Sequence, residues 1–386
     1  LSPDGKRIAY LGSNDHCKNI FILDLENHSA SKQLTYQDNM NVQYFFWASD
    51  NQIVYVNTLS NRDSLRLYAI STDTEKSISL LPVTKSRIRW VQPQQVQNGY
   101  LLAAINERDS SLFDLYRIKL DGSGKELVSR NPGRISSWYS SADGVVRLAL
   151  QSDSVRETVL YRADEQAPFK EVGVSDYHSM IQPLGFVGNS TNSIYALSNQ
   201  NRDKLALVEY DLAAAKELQV IYANNTVDIA GHGYSALSKE MLFTGYTIDK
   251  PIKHYFNATL AKHMERLGEK FPESNLDILD LDSSLSKIIV KSITDNSSGA
   301  VYFYDSEANR VELLAENNPK LHDQALAKKN PVSFQSRDGL TLHGYLTYPL
   351  GQEGQLNLPV VVLVHDGPGK RDQMDYDAEV QFLANR

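Results

Sequence analysis

Along the chain, short runs in which Ile, Val, Leu and Tyr alternate with polar residues return at a near-constant beat. They begin at Ile8, Ile53, Leu101, Val146, Ile194, Leu242 and Ile288, at steps of 45, 48, 45, 48, 48 and 46 residues. Each run is followed by a polar turn and a second alternating segment, as in Ile20–Leu25, Leu65–Ile70, Phe113–Leu120, Thr158–Ala163, Leu205–Leu212 and Ala300–Tyr304. Alternation at period two, rich in β-branched and aromatic residues, predicts half-buried strands joined as hairpins. Ser2-Pro3-Asp4-Gly5 and Ser141-Ala142-Asp143-Gly144 hold equivalent places, just before the first run of their units. A unit of about 45 residues with roughly four strands is the size of a propeller blade, and ring closure removes the edges an open array would expose. The expectation is a mainly β chain with a seven-bladed β-propeller over residues 1–315. Leu1–Gly5 reads as the end of one strand and its turn, so the first blade is expected to be incomplete.

A second marker keeps the beat: Arg62-Asp63, Arg108-Asp109, Arg156-Glu157 and Arg202-Asp203 follow the first run of their units. They read either as a ring of charge facing a substrate or second domain, or as solvated hairpin tips kept from edge pairing. The sixth unit carries an intrusion, 255–270, whose Phe256, Leu260, Met264 and Leu267 recur at helical spacing, with Pro272 just beyond. This predicts a helix laid on the propeller.

After Leu314 the beat stops. Residues 316–331 are polar with two prolines and read as a linker. Val332–Ser336 and Leu340–Tyr348 flank an Asp338-Gly339 turn and predict a hairpin. Pro359–Val364 is a continuous apolar run, which suits a strand buried on both faces of an α/β sheet. His365-Asp366-Gly367-Pro368-Gly369 follows, and Asp377–Asn385 has the pattern of an amphipathic helix. Strand, glycine loop and helix open an α/β unit, so residues 332–386 read as the start of a second, truncated domain.

Composition narrows the function classes. With 21 Tyr, 12 Phe and 3 Trp among 386 residues, the chain is not a disordered polymer. A net charge of −8 without a basic block argues against nucleic acid, and no apolar run is long enough to span a membrane. Cys17 is alone, so no disulfide framework or cysteine metal site exists, and compartment and oligomeric state stay unread. The histidines show no metal-ligand spacing.

Ser336-Arg337-Asp338-Gly339-Leu340, His343-Gly344-Tyr345-Leu346-Thr347, Val364-His365-Asp366-Gly367-Pro368 and Glu379–Arg386 together resemble the opening of the α/β-hydrolase domain in the prolyl oligopeptidase family of serine peptidases. The acylaminoacyl-peptidase-like bacterial branch is the nearest likeness. Asn106-Glu107-Arg108-Asp109, Leu112–Leu120 and the helical insertion also resemble that branch. The resemblance implies a propeller capping a hydrolase domain and admitting short peptides, with acyl transfer by a Ser-His-Asp triad and no metal or diffusible cofactor.

That triad needs a Gly-x-Ser-x-Gly elbow. No two of the 21 glycines are four positions apart, so the elbow is absent, and the triad is expected after Arg386. By the resemblance, Gly367 is the oxyanion candidate through its backbone N–H, with His365, Asp366 and Pro368 as its supporting loop. Asp366 stands where the family carries glycine, which is unfavourable beside an oxyanion unless the carboxylate points away or is paired. His365 precedes the nucleophile in chain order and reads as structural. The expected partners are short peptides and the chain's own downstream hydrolase domain. The competing function is a non-catalytic propeller that binds proteins, for which an α/β-hydrolase opening would have no use.

Overall fold

The structure is a computed structural model that describes residues 1–14, 17–26, 31–59, 65–82, 86–91, 96, 99–322, 324–367 and 370–386. Its strands fall into seven successive antiparallel sheets, each a simple up-and-down meander. The first has three strands: β1 (Arg7–Asn14), β2 (Cys17–Asp24) and β3 (Lys32–Gln33). The second contains β4 (Met40–Ser49), β5 (Gln52–Leu59), β6 (Leu65–Ser71) and β7 (Ser77–Ser79). The third contains β8 (Ile88–Trp90), β9 (Tyr100–Asp109), β10 (Leu112–Lys119) and β11 (Lys125–Ser129). The fourth follows with β12 (Ile135–Ser140), β13 (Val146–Ser152), β14 (Glu157–Tyr161) and β15 (Lys170–Ser175). The fifth is β16 (Ile181–Phe186), β17 (Ser193–Ser198), β18 (Ala206–Asp211) and β19 (Lys216–Tyr222). Three strands again make the sixth: β20 (Gly231–Ser235), β21 (Glu240–Thr247) and β22 (Pro251–Tyr255). The seventh is β23 (Asn275–Leu281), β24 (Lys287–Ile293), β25 (Ala300–Asp305) and β26 (Arg310–Glu316). This is the arrangement of sheets in a seven-bladed β-propeller.

The beat seen in the sequence marks one strand position. Ile53, Leu101, Val146, Ile194, Leu242 and Ile288 lie on the second strand of their sheets, and all are buried. Ile8, also buried, lies on β1, which therefore takes the second-strand place of a sheet with no described strand in the first. Adjacent sheets close over these residues: Val54, Leu67, Leu101 and Ile118 share one core cluster, and Leu148, Val159, Ile194 and Val208 another.

The Ser-x-Asp-Gly turn has a fixed architecture. In Ser2–Gly5 and Ser141–Gly144 the serine hydroxyl donates to the aspartate, at 2.7 and 2.6 Å, and the glycine N–H donates back to the serine carbonyl, at 2.8 and 3.0 Å. Gly5 and Gly144 take φ of 69° and 76°, a region that glycine enters without Cβ strain. Ser336–Gly339 forms the same turn, with Gly339 at φ 85°.

By packing, the chain forms two compact units, residues 1–246 with 253–257, and residues 247–252 with 258–386. In the second, helix α1 (Ala258–Lys270) buries Leu260, Met264 and Leu267. It starts later than the helical spacing suggested, because β22 continues to Tyr255. Phe256 is consequently not part of the helix stripe: its N–H bonds the Leu242 carbonyl at 2.9 Å, and its ring meets Tyr222 edge-on.

Beyond the seventh sheet, Asn318 caps a short 3-10 turn (Pro319–Leu321), and a hairpin of β27 (Lys329–Gln335) and β28 (Thr341–Thr347) follows. Helix α2 (Ala378–Ala384) starts at Asp377, whose carboxylate accepts from the N–H groups of Glu379 and Val380. The run Pro359–Val364 differs from expectation. It joins no sheet, and Val360, Val362 and Val364 are 77%, 77% and 83% exposed. The reason is partnership: a doubly covered strand needs a hydrogen-bonded strand beside it, and no described strand pairs with this one.

Candidate functional site

The loop that follows Val364 holds the residues selected from the sequence. His365 is exposed, and its Nδ1 lies 3.4 Å from the Asp366 carbonyl. The Asp366 carboxylate is paired, lying 3.2 and 3.5 Å from the ammonium of Lys370. Gly367 has φ of 74°, and its carbonyl accepts from the Lys370 N–H at 3.3 Å. Among the described residues the Gly367 N–H has no acceptor. Pro368 lies outside the described residues.

Several residues that the motif reading passed over anchor this segment. The Arg371 guanidinium donates from Nη1 to the Thr247 carbonyl at 2.6 Å, from Nη2 to the Ile248 carbonyl at 2.5 Å, and from Nε to the Asp372 carbonyl at 3.2 Å. The Tyr345 hydroxyl, on β28, donates to the Asp249 carbonyl at 2.7 Å. Burial pushes the Tyr345 phenol above its ordinary pKa, which keeps it a donor. Farther along, the buried Gln381 of α2 donates to the carbonyls of Asp295, at 3.1 Å, and Ala327, at 2.8 Å. Asp295 in turn accepts from the Lys329 N–H at 2.6 Å, and the buried Lys329 ammonium donates to the Gln373 carbonyl at 3.1 Å. No sequence signal marks these side chains, because most of their partners are backbone groups.

Two members of the charged beat, Arg108 and Arg202, form staples, while Arg156 is exposed. Arg108 forks onto Asp114 at 2.7 and 2.9 Å and reaches the Asn131 carbonyl at 3.0 Å. Its hydrogen bonds, joined by the Asn131 N–H, hold the Asp114 carboxyl below the usual range. Arg202 pairs with Glu217 and the Ser198 carbonyl. Both arginines are thereby committed within their own sheets, and Arg62 and Asp63 lie outside the described residues. A polar cavity of about 350 Å³ opens among Lys291, Ser297, Asn317, Asn318, Asp375 and Tyr376, and none of the sequence-selected residues lines it. Among the described residues, no group of three or more His, Cys, Asp or Glu is placed to hold a metal, and no helix is long and apolar enough to cross a membrane.

No family model matches the chain. A curated relative is the dipeptidyl aminopeptidase BIII of Pseudoxanthomonas mexicana, 26% identical over 410 residues, which take in 100% of this chain and 57% of the relative. A puromycin-hydrolyzing peptidase from Mycobacterium tuberculosis has a similar structure, with a TM-score of 0.67 at 15% identity, covering 100% of this chain and 63% of that one. The structural neighbours include prolyl oligopeptidases and prolyl endopeptidases. A prolyl endopeptidase structure shares the fold at a TM-score of 0.59 and 12% identity, over 90% of this chain and 53% of that one. The chain therefore spans a little over half the length of these relatives and neighbours, and the match takes in the propeller.

Proposed function

We propose that this chain is the propeller and the opening of the α/β-hydrolase domain of a serine peptidase that cleaves short peptides through an acyl-enzyme. The observation that carries the proposal is the match of the whole chain, propeller and tail together, to a dipeptidyl aminopeptidase. A propeller used only as a scaffold would not account for the hairpin, glycine loop and capped helix of residues 329–386. The serine, aspartate and histidine of the mechanism have no Gly-x-Ser-x-Gly framework in this sequence. The proposal places them in the part of the relatives' length that this chain does not span.

In this reading the loop 364–367 contributes binding and electrostatics, while the serine makes and breaks the acyl bond. As the tetrahedral intermediate forms, its oxyanion accepts from the Gly367 N–H, which has no acceptor among the described residues. The negative charge of Asp366 is offset by Lys370, which answers the objection raised by a carboxylate at that position. The decisive experiment is labelling with a fluorophosphonate probe. The isolated 386-residue chain should take up none and should leave dipeptidyl p-nitroanilides intact. The intact natural protein should do both, and an intact protein that is neither labelled nor active removes the proposal.

A further inference from the structure

Residues Thr247, Ile248 and Asp249 form the tip of the β21–β22 hairpin, and their three successive carbonyls are all taken up by two side chains from the tail. Arg371 binds the first two at 2.6 and 2.5 Å, and Tyr345 binds the third at 2.7 Å. Two independent segments, β28 and the loop after Gly367, thus grip the same tip. Arginine suits the task because its planar fork reaches two acceptors at once, which the single ammonium of lysine cannot do in one geometry. Arg371 lies four positions after Gly367, and between them the Lys370 N–H donates to the Gly367 carbonyl at 3.3 Å, which ties the residue before Arg371 to Gly367 itself.

We propose that Arg371, assisted by Tyr345, is a positioning residue that fixes the direction of the Gly367 N–H by clipping its loop to the β21–β22 hairpin. The inference rests on the peptidase reading and on the oxyanion role of Gly367. It follows from the local stiffness. The loop 360–367 joins no sheet, so nothing within it sets the orientation of the donor, and the nearest fixed point is the Arg371 clip. A misplacement of about 1 Å at a reacting centre can cost on the order of 100-fold in rate, so such a clip has catalytic weight without touching substrate.

The test uses the intact natural protein and the variants Arg371→Ala, Arg371→Lys and Tyr345→Phe, with peptide p-nitroanilides as substrates. Arg371→Ala should lower kcat about 10- to 100-fold while KM stays within about threefold, since the donor acts on the transition state. Added guanidinium ion should restore part of that loss, Arg371→Lys should fall between, and Tyr345→Phe should cost less. Hydrogen exchange at the amides of residues 246–250 should quicken in Arg371→Ala, which reads the clip independently of turnover. Faster exchange with unchanged kcat, or a loss confined to KM, overturns the positioning role and leaves the peptidase reading standing. Unchanged exchange overturns the clip itself. A wild-type intact protein without turnover or fluorophosphonate labelling removes the peptidase reading, and the positioning role falls with it.

Discussion

Gln381 engages both backbone groups of Ala327: its Oε1 accepts the Ala327 N–H at 2.9 Å, and its Nε2 donates to the Ala327 carbonyl at 2.8 Å. A side-chain amide here does what a neighbouring strand would do, and both residues are buried, with exposures of 6% and 3%. Gln381→Ala leaves a buried N–H and a buried carbonyl unpaired, and each such group costs about 1–3 kcal/mol. Denaturant unfolding should show that loss, and exchange at α2 and at Ala327 should rise. Equal stability in the variant would mean that water replaces the amide without cost.

The turn at Ser141–Gly144 predicts an acid-sensitive step. Burial pushes the Asp143 carboxyl up, but hydrogen bonds from Arg147, Ser141 and the Val145 N–H outweigh it and hold the group at about 2. An unfolded aspartate titrates near 3.9, so the folded state favours the ionised form. This contribution is complete above about pH 4 and disappears as the pH falls through about 2. Urea midpoints between pH 5 and 2 should fall less steeply in Asp143→Asn than in the wild type.

Lys239 predicts a slope of the same sign at alkaline pH. It is 2% exposed, its ammonium lies 3.3 Å from the Ser140 carbonyl, and burial brings its pKa down to about 8. Between that value and the unfolded lysine's ~10.4, the unfolded chain binds more protons than the folded one, so stability rises with pH. Relative to Lys239→Met, the wild type should gain stability from about pH 8 to 10. A constant difference between the two proteins would show that the ammonium is better solvated than its burial implies.

At Gly367 the backbone angle determines which substitutions are informative. Alanine keeps the N–H and meets nothing closer than the Lys370 side chain at 3.7 Å, so its cost is the strain of φ 74°, of order 1–2 kcal/mol. Proline removes the N–H and cannot adopt a positive φ at all. In the intact protein Gly367→Pro should lose about 10²–10³ in kcat and Gly367→Ala far less, if the N–H serves the oxyanion. Equal losses would assign the effect to loop conformation alone.

The repeat was legible because period-two alternation is imposed by the geometry of a half-buried strand, and the marker residue of every sheet is buried. The helix stripe at Leu260, Met264 and Leu267 was legible for the analogous reason, although Phe256, spaced as though it belonged to that stripe, sits at the end of a strand connection instead. Pro359–Val364 joins no described sheet, because an apolar run records what a segment would bury and not whether partner strands stand beside it. Arg371, Tyr345 and Gln381 left no trace in the pattern. Their acceptors are mainly carbonyls, which every residue possesses, so no pairing of residue types betrays the contact.

The exposed run from Val360 to Val364 has a practical consequence. Five consecutive β-favouring apolar residues without charge or proline, exposed and joined to no described sheet, are the composition from which intermolecular strand pairing grows. Preparations of these 386 residues by themselves should self-associate through this stretch as concentration rises. Replacing Val362 with lysine should keep them monodisperse in light scattering while leaving the seven sheets unchanged.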